Sequence, residues 1–204
     1  MGLRERQKSL RRRAILDAAA NLFVERGYDA AKTEQIAEKA EISIGTLYNY
    51  FQSKGEILLS LVTEESERIL AANDGFSTLP EGAPAEVLGH LLGDYFAPKN
   101  VFLNKDLWRR GISLSFSDPS APAAIAFRDI DRKLCQQVIT LVSLLKEQGA
   151  LPATVDAAKL GALLFNNANM LFFEFNRADA MTLEQLQQNV IEMTTAAVDM
   201  ISPK

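Results

Sequence analysis

Residues Thr33–Lys54, TEQIAEKAEISIGTLYNYFQSK, decide the fold. Their spacing predicts two short helices joined by a tight turn. Thr33 is expected to cap the first helix, EQIAEKA, because its hydroxyl can accept a hydrogen bond from a free amide. Ile36, Ala37 and Ala40 give that helix one apolar stripe. Ser43 is the expected cap of the second helix, IGTLYNYF, in which Leu47 and Phe51 face inward at i and i+4. Ile44, Gly45, Thr46, Tyr48, Asn49 and Tyr50 are left facing outward. A helix from Ser43 to Phe51 is about 14 Å long, short enough to lie in a major groove about 12 Å wide. The pair therefore has the dimensions of a DNA reader.

Working outward, the chain from Ile15 to Leu61 resembles the TetR family of bacterial transcription regulators. The segments that carry the resemblance are ILDAAANLFVERGYDA, TEQIAEKAEIS and GTLYNYFQSKGEIL. Many positions are fixed at set spacings, which makes the pattern more specific than a lone short motif. The resemblance implies an all-α fold with two domains. Residues 9–69 would form a three-helix, helix-turn-helix DNA-binding domain behind a basic flexible leader, 1–8. Residues 70–204 would form a helical domain for effector binding and dimerisation. One departure is Glu41, in the inter-helix turn where family members commonly carry Gly. A left-handed backbone there costs a non-Gly residue about 1 kcal/mol.

Composition agrees with a soluble globular chain: 204 residues, 48% apolar and 24% charged. The basic opening is followed by no apolar run, so it does not read as a secretory signal. The most apolar stretch, Leu160–Phe175, is interrupted by Asn166, Asn167, Asn169 and Glu174 and is too short and polar to span a bilayer. With Cys135 as the one cysteine, no internal disulfide is possible, which fits a cytoplasmic location. Net charge is −4, but residues 1–56 carry 10 basic and 8 acidic side chains. An acidic remote body does not prevent local neutralisation of phosphates. Residues 1–13 hold Arg4, Arg6, Lys8, Arg11, Arg12 and Arg13 against Glu5. This leader reads equally as a solvated tail or as an arm that contacts DNA.

Helical periodicity repeats along the whole chain, with no strand alternation. A first helix is expected at about Leu10–Arg26, stopped by Gly27 with a left-handed backbone. Ser53 and Glu56 form a capping box that starts a helix reaching about Ala72. Residues 73–84, NDGFSTLPEGAP, read as a loop. Further helices are expected near Pro84–Phe96, Asn104–Phe116, Pro122–Gln148, Asp156–Arg177 and Leu183–Ile201. In the last of these, Leu183, Leu186, Val190, Met193, Ala197 and Met200 form a heptad-like seam. The helix before it is apolar on two faces, with Leu160, Leu164 and Leu171 on one of them. Such a pair suits either a central place in one chain's bundle or a four-helix bundle with a second subunit. The resemblance favours the dimer, with those nine residues at the interface.

The resemblance also assigns roles residue by residue. Thr33 and Ser43 would bond phosphate when not used as caps, and Lys54 would attract phosphate at a helix start. Tyr48 and Tyr50 would present hydroxyls to the backbone, although Tyr50 suits a partly buried packing role nearly as well. Gly45 would permit close approach, Ile44 and Thr46 would touch thymine methyls, and Asn49 would bond adenine or phosphate. An effector pocket would draw on Phe96, Phe102, Trp108, Phe116, Phe127, Cys135, Asn166, Asn169 and Phe173, although ordinary core packing explains each of them too. The implied partners are palindromic double-stranded DNA, a second copy of the chain and a small molecule that relieves repression. One His and one Cys supply no metal cluster and no nucleophile constellation, and no phosphate loop is present. No cofactor, metal or catalytic residue is expected. The rival reading is a helical adaptor or dimerisation protein that reads no DNA, with a helical enzyme behind it.

Overall fold

A computed structural model describes residues 2–73, 81–99 and 101–201. The described residues are all-helical: α1 (Leu3–Arg26), α2 (Thr33–Lys39), α3 (Ile44–Tyr48), α4 (Lys54–Ala72), α5 (Pro84–Tyr95), α6 (Lys105–Ser117), α7 (Pro122–Glu147), α8 (Ala157–Arg177) and α9 (Leu183–Asp199). Each helix expected from periodicity is present. None among the described residues is long and apolar enough to cross a membrane. Most of the expected loop before α5, residues 74–80, lies outside the described residues.

Three expectations need correction. The leader is helical rather than flexible, because α1 starts at Leu3. LRERQKSL consists almost wholly of good helix formers and holds no Gly or Pro, so nothing stops the helix short of Gly2. The reader helix is shorter than nine residues: α3 spans five. The chain then tightens into a turn, with the amides of Tyr50 and Phe51 both bonded to the Leu47 carbonyl at 2.9 and 3.0 Å. The compact units also differ from a simple cut at residue 69. One comprises 1–64 and 103–127; the other comprises 65–102 and 128–204.

In the first unit, Ile15, Leu16, Ala19, Leu22 and Phe23 of α1, Ile36 and Ala37 of α2, Leu47, Phe51, and Ile57 and Leu58 of α4 are buried. Fully burying each large apolar side chain contributes about 1.5–3 kcal/mol. The α6 helix belongs to this unit because Gly111 lets it approach α4 closely. A Cβ at that position would stand 2.8 Å from Val62.

In the second unit, α5 lies along α9 and α8 runs beside α7. Gly161 of α8 sits so close to α7 that a Cβ there would meet the Ile139 backbone at 2.7 Å. The Tyr95 hydroxyl donates to Gln137 at 2.6 Å, and Gln137 in turn donates to the Asn73 carbonyl at 2.9 Å. Phe96 stacks on Phe172 with ring centroids 5.3 Å apart. Burial pushes the Tyr95 phenol well above its ordinary pKa, which keeps it neutral and donating.

Candidate nucleic-acid interface

The turn between α2 and α3 is a Schellman motif. The Glu41 amide donates to the Glu38 carbonyl and the Ile42 amide to the Ala37 carbonyl, both at 3.0 Å. This geometry requires a left-handed residue at Glu41, whose φ is 56°. It is the only non-glycine with positive φ among the described residues. The strain expected from a glutamate in this turn is therefore present, and the helix-turn-helix forms despite it.

Ser43 caps α3 as expected, accepting the Thr46 amide at 3.1 Å. Thr33 does not cap α2. It is the first helical residue, and the N-cap is Lys32, whose amide donates to the Gln35 side chain at 3.2 Å. The Thr33 hydroxyl instead lies 3.3 Å from the Tyr48 hydroxyl. That contact links the outer edges of the two helices with neither group buried.

Leu47 is fully buried and fixes the rotation of α3. The opposite edge is then exposed: Ser43, Ile44, Gly45, Tyr48 and Asn49, with Thr46 and Tyr50 half-buried. Tyr48 retains 49% of its surface. A Cβ on Gly45 would meet nothing nearer than the Ser43 hydroxyl at 4.0 Å, so packing within the chain does not demand glycine there. The edge carries hydroxyls, an amide, a methyl-bearing Thr and an aliphatic group, with no formal charge.

Lys54 is occupied differently from the expectation. Its ammonium donates to the carbonyls of Tyr28 at 2.8 Å, Ala31 at 2.9 Å and Asp29 at 3.3 Å. It also sits 4.4 Å from the Tyr28 ring centroid. All three donors are thus taken by the segment between α1 and α2, and Lys54 acts as an internal staple. A phosphate would have to displace one of those carbonyls.

The same segment has a second anchor that the sequence did not reveal. Arg110 of α6 forks onto Asp29 at 3.0 and 2.7 Å and bonds Asp106 at 3.0 Å. Its guanidinium lies 5.3 Å from the Tyr28 centroid. Burial raises the Tyr28 pKa, and Arg110 opposes that rise. The partners are 81 residues apart, so no local pattern could announce them.

The residues proposed for a pocket fall in both units. Trp108 and Phe127, with ring centroids 6.4 Å apart, and Phe116 lie in the first unit. Phe96, Phe102, Cys135, Asn166, Asn169 and Phe173 lie in the second. Phe102, Phe116 and Asn166 are exposed, which removes them from any enclosed lining. Phe102 instead carries the Arg68 guanidinium 4.5 Å from its ring centroid. Phe96, as described, is in the buried stack, and Phe173 is half-buried. Asn169 has the partner that an amide on an apolar helix needs: it donates to Asp131 at 3.3 Å. Burial raises the pKa of both Asp131 and the nearby Cys135 thiol. A depression of about 330 Å³ between the end of α7 and the start of α8, at Ser143, Lys146, Glu147, Ala153 and Ala157, includes none of the nine.

The expected dimer face also needs its phase corrected. Leu164, Leu186 and Val190 are buried within a single chain, so they have no surface left for a partner. Leu160, Leu171, Leu183 and Ala197 are half-buried. Met193 and Met200 are exposed, and with Leu163 and Met170 of α8 they form the large apolar groups left uncovered on these two helices. His90 is on the surface, as expected of it.

Taken together, the fold and this edge define an all-helical protein with an amino-terminal helix-turn-helix. Residues 15–61 match the family of bacterial regulatory proteins, tetR family. Through those amino-terminal residues the chain is similar to the TetR family. Over 117 residues it is 34% identical to the HTH-type transcriptional repressor KstR of Mycolicibacterium smegmatis, a match covering 56% of this chain and 55% of that protein. The chain thus spans about half the length of the curated relatives it matches. Two solved structures share the fold. A TetR/AcrR-family regulator from Thermobifida fusca gives a TM-score of 0.66 at 20% identity, covering 91% of this chain and 96% of that one. The regulator FadR from Bacillus subtilis, in complex with stearoyl-CoA, gives 0.61 at 17% identity, covering 91% and 98%.

Proposed function

We propose that the protein is a sequence-specific DNA-binding regulator of transcription that acts as a homodimer in the cytoplasm and represses until a small molecule binds. The observation that carries this reading is the uncharged edge Ile44–Asn49, held outward by the burial of Leu47 and unobstructed around Gly45. Ile44 and Thr46 suit thymine methyls, Asn49 suits adenine or phosphate, and the paired hydroxyls of Thr33 and Tyr48 suit phosphate oxygens. One five-residue helix offers few base contacts, so useful affinity needs two heads on a near-palindrome. Leu163, Met170, Met193 and Met200 supply an exposed apolar surface for that pairing.

The reading head comprises residues 1–64 with α6, and the remaining helical unit takes the effector. Repression follows the naming of KstR as a repressor. Effector binding follows the stearoyl-CoA complex of the B. subtilis regulator, without assigning that ligand to this chain. An effector acts only through a difference in affinity between two states of the protein.

Selection from a random duplex pool, followed by gel-shift titration and sedimentation analysis, tests the reading. The expected result is a near-palindromic site bound by two copies. A strict monomer with no preference for any duplex over bulk competitor DNA would overturn it.

A further inference from the structure

The α1 helix begins twelve residues ahead of Ile15, its first buried residue and the first residue of the family match. This extension has no core to join, since residues 4–14 are all exposed. Its cations fall into two groups. Arg12 and Arg13 pair with Glu64 of α4 at 3.2 and 3.1 Å. Arg4, Arg6, Lys8 and Arg11 make no ion pair or hydrogen bond through their side chains among the described residues, and Glu5 is the one acid within residues 1–13.

Helical geometry sorts these four further. At about 100° per residue, Arg4, Lys8 and Arg11 recur at i, i+4 and i+7 on one face. Continued along the helix, that face becomes Ile15, Ala19 and Leu22, the buried side of α1. The stripe that packs the head thus turns cationic where it runs beyond the head. Arg6 lies on the opposite side. Arg12 fixes where the stripe points: its guanidinium lies 5.3 Å from the ring centroid of Phe51, the residue that closes the turn after α3. From Arg12 to Arg4 the helix rises about 12 Å, comparable to a Debye length of about 8–10 Å at physiological salt. These charges therefore act on whatever polyanion the reading edge engages.

We propose that Arg4, Lys8 and Arg11 form a phosphate-binding face, gripping the DNA backbone outside the bases that α3 reads. The occupant is duplex DNA because charge complementarity and continuity with the reading edge both select it. The inference rests on the proposed DNA-reading function. Each phosphate neutralised adds about 0.9 to the salt slope of binding, so three contacts add about 2.7 for each subunit bound. Between 50 and 200 mM salt that amounts to about 40-fold in affinity.

The test uses the full chain and a 30-base-pair duplex selected by the wild-type protein, with binding measured across a salt series. Arg4→Gln/Lys8→Gln/Arg11→Gln is compared with Arg6→Gln, and circular dichroism checks that helicity is kept. The triple variant should lose most of that slope, Arg6→Gln should lose almost none, and trimming the duplex to its selected core should erase the difference between triple variant and wild type. A triple variant with wild-type slope on the long duplex overturns the proposal while leaving the regulator reading intact. So does an equal loss per charge from Arg6→Gln, which would mean a diffuse field rather than a face. Wild-type protein that binds no duplex at all overturns both.

Discussion

Gly45 in the reading edge and Gly161 in the second unit are both helical glycines, and their surroundings are opposite. A Cβ on Gly161 would strike the Ile139 backbone at 2.7 Å, whereas one on Gly45 would find open space. Gly161 is required by the chain's own packing. Gly45 is not, so any need for it comes from outside the molecule. The contrast separates a glycine that the fold demands from one that it does not.

The largest expected effect tests the packing side. Gly161→Ala should destabilise the protein by about 3 kcal/mol, because backbone cannot yield as a side chain does. Differential scanning calorimetry should show the melting temperature falling by roughly 6–12 °C, and an unchanged value would refute the close approach. Lys54→Met comes next, removing the donors from three carbonyls at a cost of about 2 kcal/mol. A denaturant titration that finds wild-type stability would return Lys54 to the role of a simple phosphate contact.

Gly45→Ala should reverse the pattern. Stability holds or rises by up to about 1 kcal/mol from helix propensity, while affinity for a selected operator falls about tenfold, or about 1.4 kcal/mol. Equal affinity in gel shifts would mean that DNA does not approach this edge. Tyr48→Phe is milder. It removes the hydroxyl facing Thr33 with a stability change of about 0.5 kcal/mol or less, and it should weaken DNA binding severalfold whatever the operator sequence. A comparably small effect is expected from Glu41→Gly, which relieves the left-handed strain and raises stability by about 0.5–1 kcal/mol in chemical denaturation. A loss of stability there would mean that the glutamate side chain makes up for its backbone.

Much of this was legible in the sequence because helix signals are local. Caps, breakers and apolar spacing placed all nine described helices within a few residues, apart from the start of α1 and the end of α3. The strain at Glu41 followed from the resemblance, which places Gly in that turn, together with the cost of a left-handed backbone at a non-glycine. What escaped were contacts across sequence distance. Lys54 looked like a free cation at a helix start because its carbonyl partners lie 23 to 26 residues upstream. The α9 seam was real, but periodicity finds a stripe without naming the neighbour that covers it. Part of that stripe, Leu186 and Val190, is buried inside the chain, where α5 comes close enough that a Cβ on Gly93 would lie 2.6 Å from Ile191. The exposed methionines fall beside the seam's centre. Thr33 lost the cap position because Gln35 reaches back to the Lys32 amide, a competition between adjacent residues that propensity does not rank.

The short connection between α1 and α2 is tethered by cations from two separate helices that share a single aromatic ring, Lys54 on one side and Arg110 on the other. Such an attachment is redundant. Removing either cation leaves the connection moored by its companion, so damage should accumulate as a threshold rather than as a sum, and the two losses together should exceed their separate effects. Sequence drift at one position is therefore buffered for as long as the other stands.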